Sequence, residues 1–172
     1  MIIVLRLSHR RERDKRISTH IGLVSRAFFA DKIIYTGEHD EVLINSVNKV
    51  SKAWGGGFGA EYSKDYMKVI KDYKSKGFKV VHLTMYGLLL NEKISEIKAA
   101  KDLLIIVGGE KVPGDVYKMA DYNISVTSQP HSEVAALAIV LDRIVEGKEL
   151  IQELKGCKKR IKPNVCGKTF YE

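Results

Sequence analysis

The chain has 172 residues, 45% hydrophobic and 29% charged, with a formal net charge of +8. That length fits one domain with a full core, and its apolar runs fall far short of the ~20 residues a membrane span needs. Too few apolar residues precede Arg6 for a signal peptide, so the expected compartment is the cytoplasm. The excess of Lys and Arg points toward a polyanionic partner such as nucleic acid, but charge alone fits a merely lysine-rich surface equally well.

Ile2–Leu7 reads as a buried strand, and Ser8–Arg16 as a strongly basic loop. Ser18 and Thr19 are placed to cap a helix running to about Phe29. Lys32–Tyr35 is a second short strand, ended by Thr36–Gly37. Val42, Ile44, Val47 and Val50 recur at helical spacing within Asp40–Ala53. A glycine-rich turn, Trp54–Gly59, precedes a short strand at Ala60–Ser63, and the helix Asp65–Lys76 stops at Gly77. Phe78–Thr84 is a clear strand, and Asn91–Ala100 a helix. Asp102–Val107 is the most hydrophobic strand, Val116–Ala120 a short helix and Tyr122–Val126 the last core strand. Ser132–Lys155 reads as a long closing helix. Strands alternating with helices imply an α/β domain with a mostly parallel sheet flanked by helices. That domain is expected over residues 1–155, with a basic C-terminal hairpin or tail over 156–172, turning at Lys162–Val165.

Two strand-to-helix junctions carry the chemistry, because loops at the C-terminal ends of parallel strands face the ligand crevice. In Val107–Pro113, Gly108 and Gly109 allow close backbone approach to a ligand. In Val126–Glu133, Pro130 suits a helix start, and Ser132 and Glu133 put a capping hydroxyl and an acid in the first turn. Leu83, ending its strand, is a third wall of one small-molecule site. His131 lies in the second loop, whereas His20 and His82 look like helix-face and strand residues. The segment Arg6–Arg16, with Arg10, Arg11, Arg13, Lys15 and Arg16, is either a solvated charge run or a phosphate grip, and its place after a strand favours the grip. Gly55, Gly57 and Ala60 match a dinucleotide-binding pattern, but a helix precedes them where that fingerprint needs a strand. Cys157 and Cys166 lack further ligands at zinc spacing, so no metal is expected; they are two plain thiols, or a disulfide within the hairpin or between subunits.

These blocks, Val4–His20 with Arg26–Asp31, Val107–Pro113, and Ala120–Asn123 leading into Gln129–Ala138, together resemble the SPOUT superfamily of knotted RNA methyltransferases. More narrowly they are similar to the archaeal tRNA (cytidine(56)-2′-O)-methyltransferase family. The resemblance implies a deep trefoil knot between about Phe78 and Leu154, and S-adenosylmethionine held by Leu83, by Gly108, Gly109, Glu110, Lys111 and Val112, and by Val126, Thr127, Ser128, Gln129, Pro130, His131, Ser132 and Glu133. It implies a homodimer and, as substrate, a cytidine ribose in the tRNA T-loop. It also implies a catalytic Arg, with Arg10, Arg13, Arg16 and Arg26 as candidates that spacing does not separate. The basic stretch Lys158–Lys168 is either a grip on the tRNA backbone or a solvated edge. Ser8, Phe29 and Gly109 depart from an expected Gly, Gly and Ala, and Thr127–Ser128 from Gly–Asn. Rival readings are a non-catalytic RNA-binding protein, a SPOUT enzyme acting on another RNA site, and a nicotinamide-dependent enzyme.

Overall fold

Leu103–Val107 is buried at every position, as a strand covered on both faces must be. The computed structural model, which describes residues 1–109 and 111–171, makes it the strand β5, inside a six-stranded parallel sheet. The other strands are β1 (Ile2–His9), β2 (Lys32–Gly37), β3 (Gly59–Tyr62), β4 (Lys79–Leu89) and β6 (Tyr122–Ser125), in the order β3-β2-β1-β5-β4-β6. Side chains alternate across the sheet. Val4, Ile33, Val81 and Ile105 therefore face the helices α1 (Arg11–Ala27), α2 (Glu41–Trp54), α4 (Leu90–Ala99) and α6 (Glu133–Val145). Ile3, Leu5, Val80 and Ile106 face α3 (Tyr66–Ser75) and α5 (Gly114–Met119). Among the described residues no helix is long and apolar enough to cross a membrane.

The structure corrects three readings. First, the basic segment after β1 is the start of α1, not a loop. Asp14 Oδ2 accepts from Arg10 N at 3.1 Å, and Glu38 Oε2 accepts from Arg11 N at 2.7 Å, so carboxylates serve donors at the helix start. Ser18 caps nothing; it lies buried inside α1. Second, α6 ends at Val145 rather than continuing to Lys155, because Glu146 and Gly147 take left-handed conformations and a short 3₁₀ turn, Lys148–Leu150, follows. Third, β4 continues past Thr84 to Leu89, and both Leu83 and Leu88 register with Ile124 of β6. Between them Gly87 lies against the Asn123–Ile124 peptide, where an added Cβ would be 2.4 Å from Asn123 O.

The tail forms a small antiparallel pair, β7 (Ile161–Lys162) with β8 (Thr169–Phe170). It leans on the glycine-rich turn: Gly56 N donates to Lys155 O at 3.0 Å, and Lys158 N to Ala53 O at 3.0 Å. A Cβ on Gly55 would sit 2.5 Å from Lys155 O, so this glycine serves backbone packing rather than a dinucleotide. Cys157 and Cys166 are free thiols. Ser8 (φ 55°) and Phe29 (φ 63°), two of the positions where glycine was expected, are left-handed.

Candidate functional site

All six strands are parallel, so the C-terminal ends of β1, β4, β5 and β6 and the starts of α1 and α6 gather at one edge of the domain. Two cavities open there. The first, about 220 Å³, is bounded by the ends of β4 and β5 and by α5 and α6. Of the residues assigned to a small molecule, Leu83, Gly108, Gly109, Val112, His131 and Glu133 line it. Lys111 lines the second cavity instead. Val126, Thr127, Ser128, Gln129, Pro130 and Ser132 are not in the first cavity's wall. They build the turn that delivers it: Ser125 Oγ donates to Thr127 O at 2.5 Å, Gln129 N donates to Thr127 Oγ1 at 3.3 Å, and Ser132 Oγ caps α6 by accepting from Val134 N at 3.1 Å. Glu110 lies outside the described residues.

Sequence reasoning missed a polar cluster in this wall. Asn123 Nδ2 donates to Tyr117 O at 3.0 Å, which leaves its Oδ1 to accept from His82 Nδ1–H at 2.8 Å. The His82 ring meets that of Tyr117 edge-on at 4.6 Å, and Tyr117 Oη is 3.0 Å from Thr84 Oγ1. Burial lowers the His82 pKa and the Asn123 contact raises it less, so the ring is neutral and Nε2 carries its lone pair. That nitrogen is buried without a hydrogen-bond partner among the described residues. A histidine inside an otherwise apolar strand was the available signal.

The second cavity, about 540 Å³, is lined by Ser8, His9, Arg10, Arg13, Glu38 and Lys111, among others. His9 is buried beneath it: Nδ1 lies 2.9 Å from Ser18 Oγ, and Nε2 faces Asp40 Oδ2 at 3.4 Å. Asp40 also accepts from Leu43 N at 3.0 Å, capping α2. Here β1, α1 and α2 are pinned together.

Arg6 and Arg13 stand between the two cavities. Arg6 is fully buried, so it is not the surface phosphate contact its segment implied. Its Nη1 donates to Gly108 O, and its Nη2 lies 3.4 Å from Glu133 Oε1. Burial lowers its pKa while Glu133 and Asp14 oppose the shift. Arg13 donates from Nε to Asp14 Oδ1 at 2.6 Å and from Nη2 to Oδ2 at 3.2 Å. A methyl on Gly109 would fit, 3.6 Å from Arg13 Nη2 and 3.8 Å from the Arg6 guanidinium nitrogens, so the expected alanine is sterically compatible. Arg16 is exposed on α1 and lines neither cavity. Arg26 is sixteen residues beyond Arg10, about 24 Å along a helix rising 1.5 Å per residue. Its Nη2 donates to Gly55 O at 2.9 Å, beside the tail.

Comparisons with known proteins fit this architecture. The structure superposes on the TrmH/SpoU tRNA modifying enzyme of A. aeolicus with a TM-score of 0.62 at 15% identity, over 87% of this chain and 76% of that one. It superposes on the SpoU methyltransferase AviRb of Streptomyces viridochromogenes, solved in complex with the cofactor AdoMet, with a TM-score of 0.58 at 15% identity, over 85% and 57%. The fold is therefore that of the SpoU/TrmH methyltransferases, the SPOUT class. The family model for tRNA ribose 2′-O-methyltransferase, aTrm56, matches residues 54–171. Over 98% of its length the chain is 55% identical to the tRNA (cytidine(56)-2′-O)-methyltransferase of Methanocaldococcus jannaschii, covering 95% of that protein. It is 52% identical to the enzyme of the same name from Thermococcus kodakarensis, over 100% of this chain and 97% of the other. The chain belongs to the aTrm56 family of tRNA ribose 2′-O-methyltransferases.

Proposed function

We propose that the protein transfers the methyl group of S-adenosylmethionine to the ribose 2′-oxygen of cytidine 56 in tRNA, with the cofactor in the first cavity and the RNA over the second. The observation that carries this reading is the border at Gly109, where a smaller cavity walled by Leu83, Gly108 and Val112 and a basic one meet beside the Arg13 guanidinium. The residues of the first cavity suit the cofactor. Gly108 has no room for a side chain, since a Cβ would lie 2.1 Å from Val112 Cγ2, so backbone rather than side chain forms the wall there. His82 Nε2 is a buried acceptor still unmatched among the described residues. Leu83, Gly108, Gly109, Val112, His131 and Glu133 would hold the group directly. Val126–Pro130 and Ser132 fix the loop, and Lys111 faces the RNA side.

The cofactor supplies an electrophilic methyl carbon, so the chain's work is positioning and charge. Arg13, held by Asp14, is our choice among the four arginines for steadying the negative charge that grows on the 2′-oxygen as its proton passes to water. A guanidinium stays protonated in proteins, so Arg13 serves as an electrostatic partner and not as the base. Arg10 and Lys111 grip phosphate from the second cavity.

The knot is supported by the path of β4: Leu83 and Leu88 both register with Ile124, and Gly87 crosses against the Asn123–Ile124 peptide. A homodimer is supported by exposed apolar side chains on the same region, Tyr86 (81%), Leu88 (54%), Leu89 (46%) and Ile139 (45%). The cytoplasm is the compartment in which such an enzyme meets tRNA. The test is methyl transfer to an unmodified tRNA transcript, followed by mapping of the modified nucleotide. A 2′-O-methyl group at cytidine 56 is expected; a base-methylated product, or none, overturns the reading.

A further inference from the structure

We infer that Asp14 is the positioning residue for Arg13: its buried carboxylate fixes that guanidinium at the border of the two cavities and thereby sets the rate of methyl transfer. The inference rests on the proposed role of Arg13 and adds a residue that no sequence motif singled out. Asp14 is only 4% exposed, although it follows directly after Arg13 in the first turn of α1. An acid in a first turn normally needs nothing but water around it to favour the helix dipole. Asp14 instead uses both oxygens on named donors. Oδ1 accepts from Arg13 Nε at 2.6 Å; Oδ2 accepts from Arg13 Nη2 at 3.2 Å and from Arg10 N at 3.1 Å.

This two-point fork does something a surface ion pair does not. The Arg13 side chain is 40% exposed and the Asp14 side chain 6%. An arginine side chain has several rotatable bonds, and a two-point contact fixes the plane of its guanidinium. Here the anchoring partner is held by the fold and by the backbone of Arg10, so the fork transmits the rigidity of α1 to the guanidinium. Arg13 lines the second cavity, and its Nη2 lies 3.6 Å from a Cβ built on Gly109, which lines the first. Asp14 also helps to balance the buried Arg6 nearby, so one carboxylate steadies the cationic pair between the cavities. It touches neither cavity wall, and so acts through Arg13.

The test is a double-mutant cycle of Asp14→Asn and Arg13→Lys, with Glu12→Gln as control. Glu12 is exposed in the same turn, so its replacement removes a first-turn charge without touching Arg13. Single-turnover methyl transfer to a tRNA transcript, cofactor affinity by calorimetry and Tm are measured for each. Asp14→Asn is expected to lower the transfer rate by roughly 10- to 100-fold, the scale of a misplaced reacting group. Cofactor affinity should stay at the control's value; Tm should fall somewhat, because Asp14 also serves Arg10 N and balances Arg6; and the rate loss, measured well below every variant's Tm, should vanish in the Arg13→Lys background. A wild-type rate in Asp14→Asn, penalties that multiply in the double variant, or a rate loss that merely follows Tm would overturn the inference. The Arg13 Nε–H resonance gives a reading independent of transfer: it should be protected from exchange in the wild type and lose that protection in Asp14→Asn. An unchanged resonance overturns the positioning role, whereas absence of transfer by the wild-type protein defeats the functional reading alone.

Discussion

Replacing Gly87 with Ala tests the crossing of β4 over β6. A Cβ there would lie 2.4 Å from Asn123 O, 2.5 Å from Asn123 C and 2.5 Å from Ile124 N. Ordinary contact begins near 3.4 Å, so the new methyl overlaps three backbone atoms by roughly 1 Å each. Those atoms belong to a strand paired with β4 on both sides of the crossing, and no side-chain rotation relieves them. Overpacking of this kind costs about 3 kcal/mol, at the upper end of its usual range. The lower chain entropy of Ala returns about 0.7 kcal/mol, leaving a net loss of about 2 kcal/mol and a fall in Tm of roughly 4–8 °C for a chain of this size. Gly114→Ala is the control: nothing lies within 4 Å of the added atom, at the first residue of α5. Calorimetric unfolding of both variants decides the matter. A Gly87→Ala Tm within a degree or two of wild type would refute the steric reasoning and, with it, the support that Gly87 lends to the knot.

Two further predictions concern the first cavity. Gly108→Ala should weaken cofactor binding and lower stability by about 1–3 kcal/mol, because the methyl meets Val112 Cγ2 at 2.1 Å. Val112→Ala removes that carbon, so the double variant should regain much of the loss, and calorimetric titration showing equal deficits in single and double variants would sink the explanation. The second prediction concerns pH. The His82 pKa is lowered from its ordinary 6.5 in the folded chain by burial, so below about pH 6.5 the unfolded chain takes up a proton that the folded chain refuses. Stability is therefore fully present above that pH and falls below it, by at most about 1.4 kcal/mol per pH unit. Chemical denaturation of wild type and His82→Gln between pH 7 and pH 5 should show this component of the slope in the wild type only.

Much of the fold was legible because burial on two faces leaves an unmistakable record. Leu103–Val107 carries no polar residue, and Ile44 and Val47 keep helical spacing and are buried in α2, whereas Val42 of the same pattern is exposed. The start of α1 was illegible for a physical reason: its caps come from Asp14, four residues inside the helix, and from Glu38, at the far side of β2, so no residue at the N-cap itself announces them. The site divided along the same line. Gly108, Gly109 and Glu133, singled out by their place at strand ends, do line the first cavity. The His82, Asn123 and Tyr117 cluster was not legible, because it joins β4, β6 and α5 through side chains far apart in sequence. Spacing did not separate the four arginines; the structure sets them apart in place, with Arg13 near Gly109 and Arg26 against Gly55.

The Arg6–Glu133 contact explains why the two cavities keep their relation. As a source of stability a buried ion pair is poor, since removing both charges from water costs several kcal/mol per ion and an apolar pair often does better. Its value here is registry. Arg6 belongs to β1, whose next turn places Arg10 and Arg13; Glu133 opens α6; and Gly108 O, the third partner, ends β5. One guanidinium thus fixes the start of α1 relative to the loop and helix that enclose the first cavity. An apolar replacement would fill the same space without specifying the angle between these elements, and on the reading proposed above methyl transfer would require that angle to be held.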